Sequence, residues 1–236
     1  MRPSLRLQDC RASRLTSIRV CRLSVRLKLT EIFYSLQGEA DTVGIPTVFI
    51  RLTGCPLRCQ YCDTAYAFHG GEWWPLDAIL ERVREFEARY VCVTGGEPLA
   101  QQHCLALLSA LADAGYRVSL ETSGAMPIDA VDARVIRVVD VKTPGSREEH
   151  RNRYDQLALL RPEEQIKFVL CDRTDYEWSR SKLASLQLAQ RCQVLFSPSH
   201  EQLQARQLAD WILADRLPVR FQIQLHKHLW GNEPGR

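Results

Sequence analysis

Short apolar strands alternate with amphipathic helices along most of this 236-residue chain, and this alternation is the feature that most constrains its fold. Residues 76–87 repeat an apolar side chain every three or four positions, which is typical of a helix with one buried face. Residues 90–93 form a short apolar run that stops before Gly95 and Gly96, which is typical of a buried strand. The alternation predicts βα units around a parallel sheet, either doubly wound or barrel-like.

The same criteria predict the remaining elements. Strands are expected at residues 27–36, 47–52, 90–93, 117–121, 135–141, 165–170, 193–196 and 219–225. Helices are expected at residues 76–87, 101–114, 153–160, 174–186 and 202–213. Because no repeat, low-complexity tract or obvious linker interrupts residues 25–236, we expect them to form a single domain.

The first 24 residues differ from the rest, since they are rich in Arg and Ser and show no convincing apolar period. We interpret them as a disordered arm or a mis-assigned start of translation, and a transit peptide is the alternative. Residues 1–29 hold eight basic side chains and one acidic one, whereas the other 207 residues hold 23 basic and 27 acidic ones. The folded part is therefore slightly acidic, which disfavours a nucleic-acid-binding surface.

The chain has nine cysteines and neither an apolar signal-peptide core nor an apolar run near the roughly 18 residues that span a bilayer. We therefore expect a cytoplasmic protein that does not enter a membrane. In a reducing compartment, clustered cysteines indicate a metal site more than disulfides.

Cys55, Cys59 and Cys62 form a C-x3-C-x2-C run directly after the predicted strand 47–52. Three thiolates this close can surround one metal centre, and two centres compete. A structural zinc ion needs four ligands, and His69 could supply the fourth, but no second C-x-x-C follows. A [4Fe–4S] cluster held by three cysteines leaves one iron free for the amino and carboxylate groups of S-adenosylmethionine. The pattern favours this catalytic cluster over zinc.

The segment Thr94-Gly95-Gly96-Glu97-Pro98 follows a buried strand. Two glycines at that position allow the backbone to approach a ligand closely, because no Cβ intervenes. Glu97 could then offer its carboxylate to the amino group of a bound amino acid. By itself the segment is also compatible with an ordinary strand-to-helix turn.

The cysteine run and the GGEP segment resemble the radical S-adenosylmethionine superfamily. Further segments resemble the 7-carboxy-7-deazaguanine synthase family, and they are FYSLQGE at residues 33–39, RLTGC at 51–55, CDT at 62–64 and QLHK at 224–227. The resemblance runs from about Leu29 to the end. It implies an α/β fold with an open, incomplete (β/α) barrel of about six mostly parallel strands, and a homodimer. It also implies conversion of 6-carboxy-5,6,7,8-tetrahydropterin to 7-carboxy-7-deazaguanine with loss of ammonia, using electrons from a flavodoxin or ferredoxin.

The resemblance also implies roles for individual residues. Cys55, Cys59 and Cys62 are expected to hold the [4Fe–4S] cluster, and Thr64 is expected to bind Mg²⁺. The residues expected at the S-adenosylmethionine site are Tyr61, Cys62, Asp63, Gly96, Glu97, Glu121, Ser123, Asp140, Val141, Lys142, Ser197, Pro198, Ser199 and His200. The residues expected to contact the pterin are Arg51 and Thr94, together with Leu36, Gln37, Gly38 and Glu39. Arg51 is suited to this because a guanidinium can bind a carboxylate through two parallel hydrogen bonds.

The sequence departs from the family pattern at two places. Ala40 follows the LQGE segment where the family has a glycine, so a backbone that needs a positive φ there would be strained. The chain also continues through residues 230–236, whereas some members hold substrate with a terminal carboxylate just after the QLHK-like segment. Two alternatives stay open at this point. One is an enzyme that places a glycyl radical on a partner protein, and the other is a zinc-dependent nucleic-acid-binding module with residues 2–28 as its basic arm.

Overall fold

The computed structural model describes residues 25–233 and residue 235, so the predictions for residues 1–24 lie outside the described residues. The described chain forms one nine-stranded sheet in the order β3-β1-β2-β4-β5-β6-β7-β8-β9. The strands are β1 Arg26–Leu36, β2 Pro46–Leu52, β3 Glu72–Pro75, β4 Tyr90–Gly95, β5 Arg117–Thr122, β6 Ile136–Asp140, β7 Gln165–Leu170, β8 Gln193–Pro198 and β9 Arg220–Phe221.

The sheet is mostly parallel and open. From β2 through β9 every neighbouring pair is parallel, whereas β1 is antiparallel to both β2 and β3. The pairings end at β3 on one side and at β9 on the other, so the sheet does not close into a barrel. Six parallel strands of five to seven residues, namely β2 and β4 to β8, form its central part. The predicted open barrel of about six mostly parallel strands is confirmed.

Helices cover the sheet and contribute buried side chains to its core. They are α1 Leu76–Arg84, α2 Cys104–Asp113, α3 Tyr154–Leu157, α4 Arg173–Ser185, α5 Ala205–Ala214 and α6 Leu225–Trp230, with short 3₁₀ turns between several of them. The apolar stripe predicted for the first helix is buried at Ile79 and Val83, and α2 buries Leu107 and Leu111 in the same core. No helix among the described residues is long and apolar enough to cross a membrane.

Three elements differ from the sequence predictions. The predicted strand 219–225 is reduced to Arg220–Phe221, because only these two residues pair with β8 and the next helix begins at Leu225. The predicted helix 153–160 is a single turn, Tyr154–Leu157, and further turn hydrogen bonds follow it up to Leu160. The strand β3 is not predicted from the sequence; it has four residues and pairs with residues 26–29 of β1.

The carboxyl ends of the parallel strands meet at one edge of the sheet, as expected for this arrangement. The cysteine run follows β2 and the GGEP segment follows β4, and these two strands are direct neighbours. Gly95 makes this neighbourhood possible, since a Cβ there would lie 2.3 Å from the Leu52 carbonyl oxygen and its φ is +150°. A side chain at this point would push the two loops apart.

Candidate active site

A cavity of about 700 Å³ opens at the carboxyl ends of the strands, and all three cysteines of the C-x3-C-x2-C run line it. Most of the other residues predicted for the site line the same cavity: Leu36, Gln37, Gly38, Glu39, Arg51, Tyr61, Asp63, Thr64, Thr94, Gly96, Glu121, Ser123, Asp140, Lys142, Ser199 and His200. The predicted residues that lie outside its wall, all of them described, are Glu97, Val141, Ser197 and Pro198. The fold thus brings together segments that are up to 164 positions apart in the sequence.

Arg58 holds the cysteine loop in shape. Its guanidinium donates hydrogen bonds to the carbonyl oxygens of Cys55 and Leu57, at 2.7 and 2.6 Å, and lies 4.3 Å from the centre of the Phe68 ring. Its backbone N–H donates to the Glu148 carboxylate, which belongs to the loop after β6. The loop is therefore fixed on two sides, by its own carbonyl groups and by a neighbouring loop.

Partial burial raises the pKa of the Cys55 thiol, and it raises the pKa of the Cys59 thiol to about 11 even though the Lys142 ammonium opposes the change. Without a metal centre these thiols hold their protons at neutral pH, so metal binding releases protons. Among the described residues, no group of three or more His, Cys, Asp or Glu side chains is arranged to hold a single metal ion.

The GGEP segment packs directly against the cysteine loop. A Cβ on Gly96 would lie 2.2 Å from the Gly54 carbonyl oxygen and 2.8 Å from the Cys55 Cβ. The backbone N–H groups of Gly96 and Glu97 donate to the carbonyl oxygens of Leu52 and Gly54, at 3.1 and 2.8 Å. Glycine at position 96 is thus required by contact with the protein backbone itself.

The Glu97 side chain is fully buried and joins the end of β4 to the end of β5. Its Oε1 accepts hydrogen bonds from the Leu99 N–H and the Thr122 hydroxyl, at 3.0 and 2.9 Å. Its Oε2 accepts from the Ser123 N–H at 2.7 Å, and also from the hydroxyls of Ser123 and Thr122. Both oxygens of the Glu97 carboxylate therefore already accept hydrogen bonds from the protein. The GGEP pattern predicts that this carboxylate faces a ligand.

One wall of the cavity carries the residues predicted to contact substrate. The Glu121 carboxylate accepts hydrogen bonds from Thr94 Oγ1 at 3.1 Å and from Gln37 Nε2 at 3.4 Å. Arg51 donates through Nε to Glu31 at 2.7 Å, and its guanidinium lies 5.7 Å from the centre of the Phe33 ring. The two terminal guanidinium nitrogens of Arg51 make no hydrogen bond to a described residue, so both remain available for an anionic ligand.

A second part of the cavity carries residues predicted for S-adenosylmethionine. Lys142 Nζ lies 3.1 Å from Asp140 Oδ2 and 5.9 Å from the centre of the Tyr61 ring. The Tyr61 hydroxyl and Asp140 Oδ1 are buried and have no hydrogen-bond partner within the described part of the chain. Burial raises the pKa of Tyr61 well above its usual value, so the hydroxyl stays a donor. Buried polar groups normally have hydrogen-bond partners, so a donor and an acceptor that both lack one indicate a place for a polar ligand.

Several cavity residues received no role in the sequence analysis. Lys167 projects from β7 and forms an ion pair with Glu39. Gln224, His226 and Lys227 of the QLHK segment also line the cavity. The signal for Lys167 was present in the sequence, since a lysine within the apolar run QIKFVL is rarely buried unless it has a charged partner.

The QLHK segment packs on the QGE loop at Gly38. A Cβ at this glycine would lie 2.0 Å from His226 Nδ1, and the Leu225 N–H donates to the Gly38 carbonyl oxygen at 3.0 Å. Ala40 has a φ of +65°, which confirms that a non-glycine residue occupies a left-handed position here. Of the chain beyond the QLHK segment, Gly231, Asn232, Glu233 and Gly235 line the cavity.

Four cysteines of the described residues lie outside the C-x3-C-x2-C run. Cys92, Cys104, Cys171 and Cys192 are buried free thiols, and none of these four lines the cavity. They pack as small apolar side chains.

Comparisons with known proteins agree with this geometry. The profile of the Radical SAM superfamily matches residues 49–140. The 7-carboxy-7-deazaguanine synthase of Chlorobaculum tepidum is 46% identical over 208 residues, which cover 87% of this chain and 94% of that protein. The 7-carboxy-7-deazaguanine synthase of Koribacter versatilis is 40% identical, covering 88% of this chain and 98% of that protein.

Among solved structures, the crystal structure of QueE from Escherichia coli superposes with a TM-score of 0.73, over 88% of this chain and 98% of that one, at 24% identity. This likeness concerns the fold, and the sequence identity to the curated relatives establishes the family. The chain belongs to the 7-carboxy-7-deazaguanine synthase family of radical S-adenosylmethionine enzymes.

Proposed function

We propose that this chain converts 6-carboxy-5,6,7,8-tetrahydropterin to 7-carboxy-7-deazaguanine with release of ammonia, in the biosynthesis of queuosine and related 7-deazapurines. The observation that carries the proposal is the convergence of the cysteine run with the QGE, CDT and QLHK segments on one cavity. The named activity of relatives that share 40–46% of their residues with this chain supports it.

Cys55, Cys59 and Cys62 would hold a [4Fe–4S] cluster in this cavity. When bound, such a cluster supplies one electron for the reductive cleavage of S-adenosylmethionine, which yields the radical that abstracts hydrogen from the substrate. The three thiols fit the cluster because all three residues line the same cavity and are only partly buried. Their loop is fixed by Arg58 and by the Gly96 contact, so the protein presents the three sulfurs on a rigid backbone.

The chain's own residues would bind and orient the two organic ligands. The Tyr61 hydroxyl and Asp140 Oδ1 are a donor and an acceptor without partners, and they suit the polar groups of S-adenosylmethionine. The terminal nitrogens of Arg51 suit the substrate carboxylate, because a guanidinium fixes both the position and the orientation of a carboxylate. Gln37 was predicted to contact the pterin, and its side-chain amide, which donates to Glu121 of the predicted S-adenosylmethionine site, suits the edge of a pterin.

Thr64 is proposed as a ligand of Mg²⁺. Its hydroxyl donates to Asp63 Oδ1 at 2.9 Å and lines the cavity. Mg²⁺ binds six oxygens, so substrate and water would supply most of the shell. We further propose that residues 25–236 act as a single domain, that the enzyme is a cytoplasmic homodimer, and that a flavodoxin or ferredoxin supplies its electrons.

The test is anaerobic purification followed by turnover. We expect a brown protein with about four iron and four sulfide per chain, and formation of 7-carboxy-7-deazaguanine from the carboxypterin with S-adenosylmethionine, Mg²⁺ and a reductant. Cys59→Ala is expected to lose the cluster and all turnover. Cys104→Ala is the matched control, because it removes a buried thiol outside the cavity and is expected to keep both.

Three results would contradict the proposal. A zinc-containing protein without iron would support a structural metal site. An iron–sulfur protein that cleaves S-adenosylmethionine but leaves the carboxypterin unchanged would support a radical enzyme with another substrate, such as a glycyl-radical activating enzyme. Loss of iron from Cys104→Ala but not from Cys59→Ala would show that the ligand assignment is wrong.

A further inference from the structure

Lys167 occupies the wall of the cavity between the two groups of ligand-binding residues. It lies in β7, whose side chains are almost all buried, and only 9% of its own side chain is exposed. Its ammonium forms an ion pair with Glu39 and lies 3.5 Å from Asp140 Oδ2. One buried cation therefore contacts two carboxylates that come from different parts of the chain.

The two carboxylates belong to different sets of predicted ligand-binding residues. Glu39 is part of the QGE loop, and its Oε1 accepts a hydrogen bond from Gln224 Nε2 at 2.9 Å. Asp140 ends β6, and its Oδ2 also contacts Lys142 while its Oδ1 is left without a partner among described residues. Glu39 was predicted to contact the pterin and Asp140 to contact S-adenosylmethionine, so Lys167 is the group that their networks share.

Glu39 depends on Lys167 more than Asp140 does. Asp140 keeps a second ammonium, that of Lys142, whereas Glu39 makes no other ion pair with a described residue. Burial alone would raise the pKa of Glu39, but the Lys167 ammonium, together with Gln224 and His226, outweighs burial, and the pKa is lowered to about 2. Gln224 and His226 also face this carboxylate, and they lower its pKa to a smaller extent. Without Lys167, the QGE loop would carry a buried carboxylate with no ammonium beside it.

We propose that Lys167 is a positioning residue that couples the substrate half of the cavity to the S-adenosylmethionine half, by holding Glu39 in a fixed position relative to Asp140. This inference rests on the proposed function, since it assigns the two halves by their ligands. Such coupling is reciprocal. If bound S-adenosylmethionine raises the affinity for the pterin by a given factor, bound pterin raises the affinity for S-adenosylmethionine by the same factor.

The experiment measures that factor without turnover. The dissociation constant of 6-carboxy-5,6,7,8-tetrahydropterin is determined by calorimetry on the anaerobic holoenzyme, with the cluster oxidised, in the absence and the presence of saturating S-adenosylmethionine. For the native chain we expect S-adenosylmethionine to tighten pterin binding at least about fivefold. For Lys167→Met we expect this ratio to fall below about twofold, with the affinity for S-adenosylmethionine alone unchanged because Asp140 keeps Lys142.

Two further variants serve as controls. Lys167→Arg keeps a cation between the carboxylates and is expected to retain most of the ratio. Lys182 belongs to α4 and lies outside the cavity, and its ammonium lies over the rings of Tyr154 and Trp178. Lys182→Met is expected to leave the ratio unchanged. If Lys167→Met does not fold, Lys167→Gln takes its place, since its neutral amide can still donate to Glu39. Iron content is measured for every variant.

The outcomes separate this inference from the proposed function. A native chain that neither binds nor converts the carboxypterin refutes the proposed function, and the inference falls with it. A native chain that turns over but shows no coupling, or the same ratio in Lys167→Met, overturns only the inference. Equal weakening of both ligands in Lys167→Met would also overturn it, because that result indicates a general disturbance of the cavity.

Discussion

Glu97→Gln is expected to destabilise the protein by roughly 3 kcal/mol, because the carboxylate accepts hydrogen bonds on both oxygens. An amide NH₂ cannot accept a hydrogen bond. The groups that donate to one of the two Glu97 oxygens therefore lose their acceptor in the variant. If the NH₂ replaces Oε2, it faces the Ser123 N–H, and if it replaces Oε1, it faces the Leu99 N–H. In either orientation a backbone N–H beside a fully buried side chain is left unsatisfied.

The magnitude follows from these contacts. One unsatisfied buried N–H costs about 1–3 kcal/mol, and the remaining hydrogen bonds lose the strengthening that an ionised acceptor provides, about 1 kcal/mol in all. The hydroxyls of Thr122 and Ser123 can rotate to accept from the amide, which limits the loss. For a chain of this length, 3 kcal/mol corresponds to a fall in Tm of roughly 6–12 °C.

The assay compares the Tm of the anaerobic native protein, Glu97→Gln and Glu81→Gln. Glu81 is an exposed residue of α1, so its variant is expected to change the free energy of unfolding by less than about 0.5 kcal/mol. An unchanged Tm in Glu97→Gln, together with weaker binding of S-adenosylmethionine, would refute the structural role. That result would mean that the carboxylate leaves Ser123 to bind the ligand, as the GGEP pattern suggested.

Three further predictions concern the cavity. Arg51→Lys is expected to keep the cluster but to weaken pterin binding by about 1.5–3 kcal/mol, measured by calorimetry, because an ammonium cannot form two parallel hydrogen bonds. Gly96→Ala is expected to lose most of its iron, measured per chain, because its Cβ would overlap the Gly54 carbonyl, whereas Gly115→Ala, which has no neighbour within 4 Å, is expected to keep it. The pKa of Glu39 is lowered to about 2, so this group stabilises the fold above pH 4.5 and the stability is lost as pH falls towards 2. The native Tm is therefore expected to fall more than that of Glu39→Gln between pH 5 and pH 3.

The parallel sheet and the position of the cavity were predictable from sequence because both follow from local patterns. Apolar runs alternating with helical periods fix the βα order, and strand ends in such a sheet share one edge. Contacts between distant segments were not predictable in this way. The strand β3 is too short to show a period, and it forms only because it pairs with β1 more than 40 positions earlier.

The position of the Glu97 side chain illustrates the same limit. The GGEP pattern predicts a carboxylate that faces the amino group of a bound amino acid, yet its partners Thr122 and Ser123 come from β5 and the residue after it. The parallel register that pairs Val93 with Leu120 brings these hydroxyls beside the carboxylate. A buried Thr-Ser pair next to a Glu removes that carboxylate from the cavity wall, and no local pattern reveals it.

Two kinds of contact hold the loops of the cavity together, and they have different effects. Glycines fix its backbone, since Gly96 sets the cysteine loop against β4 and Gly38 sets the QGE loop against His226. Buried charges then join the loops, since Lys167 connects Glu39 with Asp140. The Gly96 contact cannot adjust without moving backbone, whereas an ion pair changes strength with its surroundings. We therefore expect a change at Gly96 to affect whether the cluster is held, and changes at the ion pairs to affect how the two ligands influence each other.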